Sequence, residues 1–354
     1  MSFSRFNVML HTAGRNIRIL SLYKLWNIVI VTFSFYLSRY LKKTIHWGSP
    51  VILMIEPTNY CNLKCPLCPS GNGMMTRNKG MMDLELFKNL IDSTKRSLYL
   101  AMFWNQGEPF MNKTLLEQVS YAHENKVATL ISTNGHYIRN SNDAKDIIDS
   151  GLSELIVSLD GASEESYLEY RVGGDFQRVL NAIRLMSSEK KKTGALNPII
   201  HLQFILFKHN QHEIERISNM ASELGADKYT LKTAQVYTDA DAEKFLPTDS
   251  SMNRYDLIDG VRTLKANWTA GCKRIWYTAM VNWDGSIAPC CYDKDVDYKL
   301  GDANSVDISD VWDGDNFNQF RNTVLKERKS IEMCRNCGEG LKIKQFHKVV
   351  WVND

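Results

Sequence analysis

A chain of 354 residues, 44% of them hydrophobic, is long enough for one large domain with a smaller companion, and its composition excludes a disordered polymer. A formal net charge of +3 excludes the strong basic field expected of a nucleic-acid-binding protein, so no nucleic acid is expected as partner. Eight cysteines, gathered in two groups, are too few for a disulfide scaffold and point to metal binding in a reducing, cytoplasmic setting.

Residues 1–48 form a basic, apolar arm. Residues 1–43 hold seven cations (Arg5, Arg15, Arg18, Lys24, Arg39, Lys42, Lys43) and no acid, leaving 36 basic against 40 acidic groups in the remainder, a net of −4. The run Leu25–Leu37 is shorter than the roughly 20 apolar residues of a membrane span, and no small-residue cleavage site follows it. Read as a helix, it carries a stripe through Leu22, Trp26, Val29, Phe33, Leu37 and Tyr40, with Ser21, Lys24, Asn27, Ser34 and Ser38 off it. Three readings stand: a helix packed on the catalytic domain or a partner chain, an interfacial helix over residues 20–43 on the inner face of a membrane, or a span.

Residues 49–236 alternate short β-rich runs with helical stretches. Strands are expected at 51–56, 97–103, 127–132, 154–159, 199–206 and 228–233, with helices near 83–95, 113–125, 142–150, 175–190 and 211–224. Asp83 and Ser163 read as N-caps, Gly151 and Gly225 as helix stops. Six βα repeats imply a parallel sheet with helices outside it, and either a partial barrel or a flat doubly wound sheet satisfies the pattern. In a barrel the chemistry sits in the loops after the strand C-termini.

Directly after the first expected strand stands Cys61-x3-Cys65-x2-Cys68. Three thiolates in one loop hold three irons of a [4Fe–4S] cube and leave the fourth iron open. A zinc site closes with four ligands, and no further His or Cys lies in this loop. On these residues the stretch from about 51 to 236 resembles the radical S-adenosylmethionine (SAM) superfamily, whose fold is a partial (β/α)6 barrel. Asn105-Gln106-Gly107-Glu108-Pro109 resembles the family's Gly-Gly-Glu motif, with Gln106 in place of the first glycine. Leu67 stands where the family usually has an aromatic residue. The resemblance implies that Gly107 and Glu108 bind the SAM amino group. It further implies that Ser132, Asn134, Ser158 and Asp160 bond its ribose and methionyl part, and that Arg171 pairs with its carboxylate. Read alone, Asn134-Gly135 and Asp160-Gly161 are ordinary turns.

Residues 237–267 read as a linking, partly helical stretch. Cys272, Cys290, Cys291, Cys334 and Cys337 follow, spaced C-x17-C, a gap of 43, then C-x2-C. The β-like run 276–283 before Asp284-Gly285 suggests a hairpin that brings Cys272 and Cys290 together. The spacing alone also suits a four-cysteine zinc site. Residues 268–345 resemble the SPASM extension in its shortened one-cluster form, Twitch. The resemblance implies a second [4Fe–4S] cluster on Cys272, Cys290, Cys334 and Cys337. Adjacent cysteines in an extended segment point apart, so Cys291 is core, a spare ligand or a substrate-side thiol. Residues 346–354 form a tail that is either a closing strand or membrane-facing.

The family mechanism implies reductive cleavage of SAM to a 5′-deoxyadenosyl radical that abstracts hydrogen from a substrate C–H bond. Flavodoxin or ferredoxin is the kind of electron donor it implies. The favoured reading is net oxidation of a small or lipid-linked substrate, with the auxiliary cluster as electron acceptor. The alternatives are a peptide or protein maturase and a non-catalytic iron–sulfur electron carrier. Lys232 and Gln235 end the sixth expected strand and face the substrate region. Lys232 reads first as a cation that anchors an anionic substrate or joins an ion pair.

Overall fold

The structure is a computed structural model and describes residues 19–339, 341–343 and 347–352. After helix α1 (Leu22–Leu41) the chain runs through β1 (Ile52–Ile55), α2 (Leu84–Thr94), β2 (Leu100–Phe103), α3 (Leu115–Glu124) and β3 (Ala128–Thr133). It continues with α4 (Ser141–Asp149), β4 (Glu154–Ser158), α5 (Glu164–Tyr170), α6 (Phe176–Thr193), β5 (Ile199–Leu206), α7 (Ile214–Glu223) and β6 (Lys228–Thr233). The caps behave as their chemistry dictates. The Asp83 carboxylate accepts the N–H groups of Glu85 and Leu86, and Ser163 and Ser166 form a capping box at α5. Gly151 and Gly225 both take positive φ where their helices end.

Strands β1 to β6 are parallel and in sequence order. Their residues alternate between two environments, as a period of two requires. Leu53, Phe103, Ile131, Leu155, Val157, Leu202, Phe204 and Leu231 point outward into one core with Phe87, Ile91, Val119, Ile147, Ile183 and Ile217 of the helices. Met54, Met102, Ser132, Ile156, Gln203 and Lys232 point inward to a common cavity. A sheet whose six strands face one cavity has curled, so the fold is the partial barrel and not the flat alternative.

The C-terminal third extends this same sheet. Strand β7 (Thr278–Val281) pairs parallel with β1, and β8 (Ser286–Ala288) and β9 (Gly301–Asp302) follow antiparallel. The expected hairpin is present, turning at Asp284-Gly285 with Gly285 at φ +85. Helices α8 (Ile308–Asp313) and α9 (Asp315–Glu327) cover it. Buried Arg321 of α9 lies over the Trp312 and Phe317 rings and donates to the carbonyls of Ile275 and Trp312. The stretch 237–267 holds a short helix, Asp239–Phe245, and a hairpin of Tyr255–Ile258 with Val261–Leu264. At the far edge β10 (Lys348–Trp351) pairs antiparallel with β6, so the tail is the closing strand. The full order is β9-β8-β7-β1-β2-β3-β4-β5-β6-β10.

Helix α1 packs on the body, but with the face opposite to its apolar stripe. Lys24, Asn27, Ser34 and Ser38 are buried, while Leu22, Trp26, Val29, Phe33 and Tyr40 are exposed. Two apolar residues of that inner face, Val31 and Phe35, enter the core, Phe35 edge-on to Trp276, and hydrogen bonds hold the polar ones. Asn27 exchanges two bonds with the Ser49 backbone, Ser38 bonds both backbone groups of Ile45, and Lys24 Nζ donates to the Lys126 carbonyl at 2.6 Å. Among the described residues no helix is long and apolar enough to cross a membrane.

Candidate active site

The loop after β1 carries Cys61, Cys65 and Cys68 into the mouth of the barrel, and all three line the cavity of about 670 Å³. The helical turn Pro69–Asn72 starts from Cys68, and Ser70 is tied by Gln106 Oε1, which accepts both its N–H and its hydroxyl. Gln106, in place of a glycine, thus fastens the cysteine loop to the loop after β2. Leu67, in place of an aromatic residue, packs with Leu63, Tyr170 and Phe207.

Gly107 sits at φ +79, and a Cβ there would lie 2.3 Å from the Thr58 carbonyl oxygen and 2.7 Å from that of Tyr60. Its neighbour Glu108 N–H donates to that Tyr60 carbonyl at 2.7 Å. Only glycine fits, and Gly107→Ala is expected to cost about 1–3 kcal/mol, read as a lower denaturant midpoint.

The Glu108 carboxylate is buried and accepts from Thr133 Oγ1 and Asn134 N, both at 2.7 Å, and from Phe110 N at 3.2 Å. Burial pushes its pKa up to about 7 against the pull of these donors. Asn134 Nδ2 donates to Asn62 Oδ1, which joins the third strand to the cysteine loop. Gly107, Glu108, Ser132, Asn134, Ser158 and Arg171 line the same cavity as the three cysteines.

Asp160 is different. It has no exposed surface and does not face the cavity. Its carboxylate is held by Arg171 through Nε at 2.7 Å and through Nη2, and by Ile205 N at 2.7 Å. Asp160 was expected to bond SAM itself, but it does not reach the cavity that Glu108 and Arg171 line, and its contacts are those of a residue that positions Arg171. Arg171 Nη1, set by that pair, stands 3.8 Å from Cys65 Sγ.

The first cysteine set is suited to a cluster. Burial pushes the Cys61 thiol up to about 12 and raises Cys65, with nearby Arg171 working against the rise at Cys65. Buried thiolates therefore need positive charge beside them, which cluster irons provide. Among the described residues no three His, Cys, Asp or Glu side chains close around a single metal ion. A cube takes one thiolate per iron and needs no such closure.

Cys272, Cys290, Cys334 and Cys337 are all buried. Burial pushes the thiols of Cys290, Cys334 and Cys337 up, and charge on Cys272 adds to the rise at all three, as charge on Cys291 and Cys337 does at Cys290. Arg328 Nη2 lies 3.9 Å from Cys337 Sγ and donates to the Glu339 carbonyl. Cys291 turns the other way and lines the main cavity beside Arg274, 3.9 Å from its Nη1. Cys291 also packs on the Met54, Met280 and Ala288 cluster, so it is at once a core neighbour and a cavity-lining thiol.

The cavity floor was not anticipated. His201 is hydrogen-bonded to Glu154 at 2.7 Å and Thr230 at 2.6 Å, and Lys228 meets Glu154 at 2.9 Å. The signal was available: polar residues at alternate positions of β4 and β5, whose other positions are all apolar. Lys232 Nζ donates to Gln203 Oε1 at 2.6 Å, and burial lowers its pKa while Glu339 and Asp160 counter that. Arg274 pairs with Glu339 at 2.8 Å in the same wall.

Residues 55–221 match the radical SAM superfamily, and residues 272–338 match SPASM, an iron–sulfur cluster-binding domain. The chain is 20% identical over 316 residues to the tungsten-containing aldehyde ferredoxin oxidoreductase cofactor-modifying protein of Pyrococcus furiosus, covering 80% of this chain and 86% of that one. It is 25% identical over 191 residues to the PqqA peptide cyclase of Bradyrhizobium diazoefficiens, covering 54% of this chain and 48% of the relative. Among solved structures, Streptococcus suis SuiB bound to S-adenosylmethionine matches with a TM-score of 0.62 at 16% identity, covering 86% and 75% of the two chains. BtrN in complex with AdoMet and 2-DOIA matches with a TM-score of 0.52 at 18% identity, covering 84% and 95%. These structures bear on the fold alone.

Proposed function

Because the chain belongs to the radical SAM superfamily and carries a SPASM domain, we propose that it oxidises a small anionic substrate held between two iron–sulfur sites. The observation that carries this reading is the single cavity. Cys61, Cys65 and Cys68 stand in one wall, and Cys291, next in sequence to Cys290 of the auxiliary set, stands in another. When bound, the clusters and SAM supply one-electron chemistry that removes a hydrogen atom from an unactivated C–H bond.

The chain's own residues provide the rest. Glu108 and Asn134 present fixed polar atoms to SAM, and Arg171, held by Asp160, presents a guanidinium. The partial barrel keeps bulk water away from the reacting carbon. Lys232, bonded to neutral Gln203, offers a cation for a carboxylate or phosphate on the substrate, with Arg274, paired to Glu339, beside it, and a cluster on the auxiliary cysteines beyond Cys291 would supply the outlet for the second electron. Flavodoxin or ferredoxin suits the site as reductant, and a reducing cytoplasm suits its thiols. The match to the PqqA peptide cyclase favours a second reading, modification of a peptide. A cavity of about 670 Å³, shared with SAM, favours the small substrate.

The test is anaerobic. The reconstituted, reduced protein is given SAM with either a peptide-free extract of small acidic metabolites or a peptide fraction, and 5′-deoxyadenosine is measured. Stimulation by the first supports the main reading, and stimulation by the second alone moves the assignment to a peptide. No SAM cleavage at all would leave an electron carrier. Glu108→Ala removes the acceptor of three donors in the SAM wall. It is expected to weaken SAM binding by about tenfold or more, measured by equilibrium dialysis of the iron-loaded protein.

A further inference from the structure

Helix α1 shows the reverse of the ordinary surface helix. An amphipathic helix normally buries its apolar stripe. Here a mixed face of Lys24, Asn27, Val31, Ser34, Phe35 and Ser38 is spent on the body, and Leu22, Trp26, Val29, Phe33 and Tyr40 stand out from it, Leu22 at 87% and Tyr40 at 83% exposed. Trp47, exposed on the returning strand of chain, stacks on Phe33 with ring centres 6.0 Å apart and widens the patch. Contiguous exposed apolar surface of this kind marks a contact site.

Charge says what covers it. At the N-terminal end of α1 a cleft of about 310 Å³ gathers Lys24, Lys95, Arg96 and Lys126. Arg96 lies over the Tyr23 ring, and Lys95 also meets Asp92. The first-turn N–H groups of the helix add positive potential there. At the other end stand Arg39, Lys42 and Lys43, the last two exposed. No acidic residue precedes Glu56.

We propose that α1 lies flat on an anionic phospholipid bilayer. Its Trp, Phe and Tyr side chains sit at headgroup depth, and the basic cleft takes a lipid phosphate. Aromatic rings flanked by cations are what that interface selects. A second copy of the chain fits poorly, because an antiparallel pair of α1 helices sets cations against cations. Insertion across the bilayer is prevented by the hydrogen bonds to Ile45, Ser49 and Lys126, which pin the inner face along the length of the helix. These contacts lie just before β1 and β3, at the strand ends opposite the cysteine loop. The docked protein therefore keeps its cavity open to SAM and to a soluble reductant. The proposal does not rest on the substrate reading.

The experiment is vesicle flotation of the full, iron-loaded chain. Phosphatidylcholine vesicles are compared with vesicles that also contain phosphatidylglycerol, with and without excess inorganic phosphate. Binding only to the anionic vesicles, weakened by salt and untouched by free phosphate at matched ionic strength, is expected. Trp26→Asp with Val29→Asp should abolish it, and Lys95→Glu with Arg96→Glu should weaken it about tenfold. Both variants should keep wild-type iron content and SAM cleavage, which shows that they fold. No flotation of the wild type overturns the proposal. Equal binding to neutral vesicles does so too, as does self-association that the Trp26 and Val29 changes remove while no vesicle binds. Displacement by inorganic phosphate would make the cleft a free-phosphate site instead.

Discussion

Changing Cys61, Cys65 and Cys68 together to alanine is expected to halve the iron of the reconstituted protein, from about eight atoms to about four, and to abolish 5′-deoxyadenosine formation. The three thiols line the same cavity as Glu108 and Arg171. Cys272, Cys290, Cys334 and Cys337, in the segment matched to the SPASM domain, are left intact by the substitution. Iron and sulfide analysis of anaerobic samples gives the count directly. About four irons in the wild type and none in the variant would mean that the C-terminal cysteines hold zinc or nothing, and the oxidation reading would lose its electron outlet. No iron in either protein would remove the radical reading altogether.

Asp160→Ala is expected to lower stability by about 3–5 kcal/mol and to weaken SAM binding as well. The substitution leaves the Arg171 guanidinium, 13% exposed, without its carboxylate partner. An uncompensated buried charge is costly in proportion to its burial. It also frees the Ile205 N–H at the end of β5. Asp160→Asn keeps an acceptor for Ile205 and should fall between the wild type and the alanine variant. Urea denaturation of the iron-loaded protein measures the first effect, and equilibrium dialysis of SAM the second. Unchanged stability with unchanged SAM affinity would mean that Arg171 finds another partner and that Asp160 does not position it.

Much of the barrel was legible because its signals are local. Asp83 and Ser163 cap the turns directly after them, Gly151 and Gly225 adopt the left-handed backbone that ends a helix, and Asp284-Gly285 closes its hairpin. The cysteine loop was legible for the same reason, since ligand spacing within eight residues is set by the chain itself. The cavity floor of Glu154, His201 and Thr230 was less so. Alternate polar residues in a buried strand show that something polar faces them, but their partners come from neighbouring strands.

By itself, then, the sequence determined the order of the βα units, the two cysteine groups and the polar strand ends at Ser132, Asn134 and Ser158 that line the cavity. All of these follow from residues a few positions apart. The tertiary structure alone decided four things: that β7 pairs with β1, that Cys291 lines the cavity while Cys290 does not, that Asp160 pairs with Arg171, and that α1 turns most of its apolar stripe outward. Hydrophobic periodicity assumes that apolar residues go inside. In α1 the rotation is set by hydrogen bonds to backbone groups as distant as Lys126 together with Val31 and Phe35, the latter against Trp276, and no local pattern encodes partners that far along the chain.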